Sequence, residues 1–182
     1  MITIDQLHEQ LAGITVKARR VVEGLAPEQL TKRAGPAKWS VAECLAHLNL
    51  ANGSVQPGAQ KAIQRGREAN LAGKGPFATG GSGRFFTWFA EPPPKLRIWA
   101  PKSIAPPQQI PDPAGVIKEF LSQHDEWARL LKEAYGLDLG RMKMKSPFPG
   151  LPSFRVAGII TWMFAHDRRH LAQAEEVKRK LN

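Results

Sequence analysis

The sequence predicts an all-α protein, a four-helix bundle with a long Pro/Gly-rich crossover between its second and third helices. Three observations predict it. Four long segments carry apolar residues at helical spacing. Each opens on a residue suited to cap a helix: Thr3, Ser40, Asp112 and Ser153. The prolines and glycines gather between these segments, most densely over residues 72–112. Four helices with one long connection make a bundle, and 182 residues suffice for one domain, 1–182, with its own core.

The first helix is expected from Thr3 to about Leu25. Thr3 and Gln6 match a capping box, in which each side chain satisfies a free backbone N–H at the helix start. Ile4, Leu7, Leu11, Ile14, Ala18, Val21, Val22 and Leu25 form its inward stripe. Pro27 and Gly35-Pro36 then mark a connecting loop.

The second helix begins at Ser40, where Ser40 and Glu43 repeat the capping-box pattern. Val41, Cys44, Leu45, Leu48 and Ala51 give it an apolar side, with His47 beside them. Pro57 lacks a backbone donor and crowds the preceding turn, so a kink or a fresh start is expected there, with helix again to about Asn70.

Residues 72–112 change character. Glycines at 73, 75, 80, 81 and 83 precede Pro92-Pro93-Pro94 and four further prolines. Phe85, Phe86, Trp88, Phe89, Leu96, Ile98 and Trp99 call for burial, so the segment is expected to pack on the helices, with a short helix near Arg84 to Ala90. Asp112-Pro113 opens the third main helix, Asp as cap and Pro in the first turn, where its missing donor is harmless. Phe120, Leu121, Trp127, Leu130 and Leu131 carry its core face, and Gly136 ends it. The last helix is expected from Ser153 to about Lys180, with Val156, Ile159, Ile160, Met163, Phe164, Leu171, Ala174 and Val177 inward.

Composition narrows the function classes. Apolar residues make up 42% and charged residues 23%, which argues against disorder. No apolar run approaches the ~20 residues that span a bilayer. Met1-Ile2-Thr3-Ile4-Asp5 does not resemble a signal peptide, and a single cysteine, Cys44, excludes an intrachain disulfide. A cytoplasmic location is expected. The net charge is +10, but the Lys and Arg residues are scattered and accompany no nucleic-acid-reading motif. The expected partners are a small-molecule substrate, with neither sequence-specific nucleic acid nor membrane.

The histidines carry the chemistry. His166 and His170 are four residues apart, hence on one helix face a turn apart. Two such imidazoles can chelate one ion, and His47, on another helix beside the core stripe, is the best third ligand. Three imidazoles with an open fourth position suit catalytic zinc, and also nickel or iron. Spacing alone equally allows a surface or packed pair. The zincin pattern is excluded, because Asp167-Arg168-Arg169 follows His166 where a glutamate is required.

Two stretches resemble the DinB-like (DinB/YfiT) superfamily of helical bundles. They are Lys38-Trp39-Ser40-Val41-Ala42-Glu43-Cys44-Leu45-Ala46-His47-Leu48 and Phe164-Ala165-His166-Asp167-Arg168-Arg169-His170-Leu171-Ala172-Gln173-Ala174. Weaker likenesses lie at Glu91-Pro92-Pro93, Gly136-Leu137-Asp138-Leu139 and Ser146-Pro147-Phe148. The resemblance covers nearly the whole chain. It implies an up-down-down-up bundle, a metal triad at His47, His166 and His170, and homodimer formation. Its members suggest thiol-dependent transfer or metal-dependent hydrolysis, with zinc or nickel and a low-molecular-weight thiol as cofactors. The crossover here is longer than in the simplest members.

The neighbouring residues have plainer expectations. Cys44 is a small buried core thiol, although it lies one turn before His47. Glu43 serves the capping box, with a bond to His47 as the alternative. Asp167 is expected in a local salt bridge and His124 as a hydrogen-bonded core histidine. His8 is expected at the surface, Trp39 as a staple at the helix entrance, and Gln173 either at the site or as a core-edge amide. Two classes remain: a metal-dependent enzyme, in which Phe85 to Trp99 would shield the substrate, and a non-catalytic metal- or ligand-binding module related to stress or DNA damage. No catalytic residue beyond the metal ligands is identified.

Overall fold

The computed structural model describes residues 1–93 and 101–181. They form a mainly helical chain. The elements are α1 (Ile4–Val22), α2 (Pro27–Thr31), α3 (Val41–Glu68), α4 (Gly80–Ala90), a 3-10 turn (Lys102–Ile104), α5 (Pro113–Glu133), β1 (Lys143–Met144), β2 (Phe154–Arg155) and α6 (Val156–Leu181). No helix among the described residues is long and apolar enough to cross a membrane.

Local chemistry explains most helix starts. Thr3 and Gln6 close a capping box on α1, and Ser40 and Glu43 close one on α3. The Asp112 side chain accepts from the Gly115 amide, with Pro113 in the first turn of α5. The start of α6 is different. Ser153 is not its cap, because residues 154–155 are first drawn into a short antiparallel ladder that pairs Met144 with Phe154. The free amides of Val156 and Ala157 then donate to the carbonyls of Met142 and Leu139, each at 3.0 Å. Backbone from a preceding segment does what a side chain does elsewhere.

Other expectations need revision. Helix α3 runs unbroken through Pro57, with no fresh start. Pro57 and Gly53, whose carbonyl loses its partner, are both exposed, so water can satisfy that oxygen. Asn70, at φ 51°, ends the run just beyond the helix. The connection after α1 contains the short helix α2, begun by Pro27. Helix α4 starts earlier than expected, at Gly80. Gly83 serves packing: a Cβ there would lie 2.6 Å from the Cα of Gly158 on α6. The two backbones approach too closely for a side chain. Phe86 and Phe89 are partly buried, but Phe85 and Trp88 are 55% and 58% exposed, so half of this aromatic cluster lies outside the core. Leu96, Ile98 and Trp99, expected to bury, lie outside the described residues.

The four long helices pack in a ring. Helix α1 contacts α5 and α6, α3 contacts the same two, and α4 lies along α6. Helices α3 and α5 run parallel and in register. Asn49 and Gln56 donate to the carbonyls of Val116 and Gln123, and Arg67 to that of Glu133. The main core gathers Leu7, Leu48, Phe120, Trp127, Ile159 and Phe164. A second apolar cluster closes one end, where Val21, Val41, Cys44 and Val177 meet Leu30 of α2, with Trp39 and Ile117 packed against them.

Candidate metal centre

Near that end α3 and α6 face each other, and their histidines converge. His47 is buried on α3, while His166 and His170 lie one turn apart on α6. One nitrogen from each of the three lies within 4.8 Å of the others. The ring centroids are 4.5 to 4.9 Å apart. No other His, Cys, Asp or Glu among the described residues joins the group.

Hydrogen bonds fix which nitrogens face inward. His47 Nδ1 lies 2.6 Å from the Ile104 carbonyl, so it carries the proton and donates it. Its Nε2 is left as a lone pair. His170 Nδ1 lies 3.1 Å from Gln173 Oε1 and donates likewise, freeing its own Nε2. His166 Nε2 lies 3.1 Å from His47 Nε2 and donates to it. His166 Nδ1 is then a buried nitrogen without a hydrogen-bond partner. Shifting one proton between the nitrogens of His166 would present three lone pairs at once. Tetrahedral zinc with Zn–N bonds near 2.1 Å separates its ligand nitrogens by roughly 3.4 Å. The cluster therefore fits a divalent ion in donor type, protonation and spacing.

Burial keeps the imidazoles neutral. It holds His47 below its ordinary value, against the Ile104 hydrogen bond and the charge of Asp167. Burial, then the charges of His170 and His47, and then Arg169, hold His166 well below. Burial and the His47 charge push His170 down to about 3. Neutral imidazole is the form that ligates a metal.

The surroundings sort into contacts made and not made. Trp39 is more than a staple: its ring lies 4.9 Å from that of His47 and 5.6 Å from that of His170, walling one side of the triad. Gln173 reaches His170, as one expectation had it. Glu43 stays with the cap and with Arg33, whose Nε donates to it at 2.8 Å, and makes no bond to His47. Burial pushes Glu43 up, but Arg33 and the Ser40 amide outweigh it and hold the carboxyl below its usual value. Cys44 is fully buried, and burial raises its thiol far above the ordinary value. His8, on α1, stacks on the exposed Tyr135 and is not part of the triad.

Asp167 departs from expectation. It forms no local salt bridge but is fully buried, accepting from Asn52 Nδ2 of α3 at 3.0 Å. Asn52 Oδ1 in turn accepts from Trp127 Nε1 of α5 at 2.8 Å. His124 completes this network: its Nδ1 donates to the Phe120 carbonyl at 2.9 Å, and its Nε2 lies 3.3 Å from Asp167 Oδ2. That last contact lacks hydrogen-bond alignment. Sequence reasoning did not find Asn52, Trp127 as a donor, or the Ile104 carbonyl. The one available signal was an amide, Asn52, on the apolar side of α3, five residues after His47.

A family model described as the DinB superfamily matches residues 10–174. No curated protein matches the chain significantly, and no solved structure does.

Proposed function

The chain belongs to the DinB superfamily, and on that premise we propose that it binds one divalent metal ion through His47, His166 and His170 and acts as a metal-dependent enzyme, a thiol S-transferase or hydrolase. The observation that carries this reading is the convergence of three neutral imidazoles, from two helices, with no fourth ligand among the described residues. That donor set suits zinc or nickel and leaves a coordination position for a water or a thiol. Bound there, the ion would supply a Lewis acid that lowers the proton affinity of that water or thiol.

The chain's own groups perform the supporting tasks. The Ile104 carbonyl and Gln173 hold the outer nitrogens of His47 and His170, which orients both rings. Trp39 keeps water from one side. The net charge of +10 favours an anionic thiol cofactor over a cationic one. Cys44 is no rival nucleophile, because its buried thiol resists ionisation. Shielding of the substrate falls to Trp39 rather than to Phe85 and Trp88, which are exposed. The architecture we propose is the up-down-down-up four-helix bundle. The parallel register of α3 and α5 supports it, as does the meeting of Val21, Val41, Ile117 and Val177 at one end.

An electrophile panel offered to zinc- or nickel-loaded protein, with and without low-molecular-weight thiols, tests the enzymatic reading. Turnover lost with chelator and restored by metal supports it. Stoichiometric metal with no turnover across the panel makes the protein a non-catalytic binding module.

A further inference from the structure

We propose that Asp167 is a positioning residue of the metal centre, whose buried carboxylate balances the charge of the ion held by the three histidines and whose bond to Asn52 sets the spacing between α3 and α6. The proposal rests on the metal-binding reading above. Asp167 follows His166 on α6 and is 0% exposed. A carboxylate is seldom buried without a cation to repay its lost hydration. No Lys or Arg among the described residues forms an ion pair with it; its partner there is His124. His124 Nδ1 faces the Phe120 carbonyl, and its Nε2 lies 3.3 Å from Asp167 Oδ2. Neither atom gains an aligned hydrogen bond.

The triad has the opposite imbalance. Three neutral imidazoles give a dication ligand atoms but no negative charge. The carboxylate that follows His166 on α6 supplies one, in the same α3–α6 contact that brings His47 to His166. In a dry interior such a charge is weakly screened. Position is set by the same group. Asn52 and His47 share α3, Asp167 and His166 share α6, and the 3.0 Å Asn52–Asp167 bond ties the two helices close to the ligands. Trp127 donates to the other end of that amide, the Asn52 oxygen, and brings no charge to the site.

The test compares Zn²⁺ affinity, by competition with a chromogenic chelator, in wild type, Asp167→Asn and Trp127→Phe. Co²⁺ absorption spectra report ligand geometry. Asp167→Asn keeps an acceptor for Asn52 and adds a donor toward His124 Nε2, so the network persists while the charge is removed. The expected result is zinc binding weakened roughly 10- to 100-fold with an unchanged Co²⁺ spectrum. Trp127→Phe removes a donor but no charge, and is expected to bind zinc within about threefold of wild type. Affinity for Asp167→Asn equal to wild type overturns the proposal. So does an equal loss in both variants with an altered Co²⁺ spectrum, which makes the role structural. A wild type that takes up no zinc overturns the metal reading itself, a distinct outcome.

Discussion

Two histidine environments are built against α6, one with His47 of α3 and one with His124 of α5, and they differ in what faces the ring. At His47, His166 and His170 the rings face one another, with no carboxylate among the ligand atoms. At His124 one nitrogen meets a backbone carbonyl and the other a carboxylate. The first cluster turns lone pairs inward and leaves a buried nitrogen on His166 unpartnered. The second spends its polar groups on protein partners that join α3, α5 and α6. The same residue type thus presents candidate ligand atoms in one place and packs in the other. The partner, rather than the imidazole or its burial, decides which.

That contrast can be broken most strongly with metal. Any ion that binds only the folded chain stabilises it by mass action, by ~4 kcal/mol at a thousandfold excess over Kd. Zinc should therefore raise the melting temperature of wild type by several degrees, and should leave His170→Ala unmoved. An equal rise in both, in a thermal melt with matched buffer, would remove His170 from the centre.

Acid sharpens the difference next. The three triad histidines have folded-state values below their ordinary 6.5, so the folded protein binds fewer protons than the unfolded chain. Stability from these groups is fully present above about 6.5 and is lost as pH falls toward the folded value, about 3 for His170. Each group contributes at most about 1.4 kcal/mol per pH unit. Metal-free protein should weaken steadily below pH 6.5 in urea titrations, and replacing His170 with Gln should flatten that slope.

The packing cluster responds differently. Trp127→Phe leaves the Asn52 oxygen without its donor and should reduce stability by about 1–3 kcal/mol in urea unfolding, metal or no metal. A change confined to the metal-loaded form would erase the distinction between the clusters. Cys44→Ala gives the smallest effect. The thiol touches the end cluster and no ligand, so metal content and turnover should stay within about twofold of wild type, with about 1 kcal/mol lost in stability.

What the sequence revealed follows the range of the interactions. Caps act over three residues, so Thr3 with Gln6, Ser40 with Glu43 and the Asp112-Pro113 start were all legible. The His166–His170 pair is likewise one helical turn. The α6 start was not legible, because its amides are satisfied by Met142 and Leu139 across a turn. The tether on His47 comes from Ile104, 57 residues away, and the partner of Asp167 is Asn52, 115 residues away. Local pattern made Asp167 a local salt-bridge partner. The packing of α6 against α3 and α5 buries it.

The central claim is that three histidines from two helices hold one ion together, and metal content tests it most directly. Wild type, His47→Ala and His166→Ala, each purified without a His tag and equilibrated with Zn²⁺, would be measured by elemental analysis after desalting. The account predicts about one zinc per chain in wild type and sharply reduced metal in each variant. Near-stoichiometric zinc retained by both variants would contradict it.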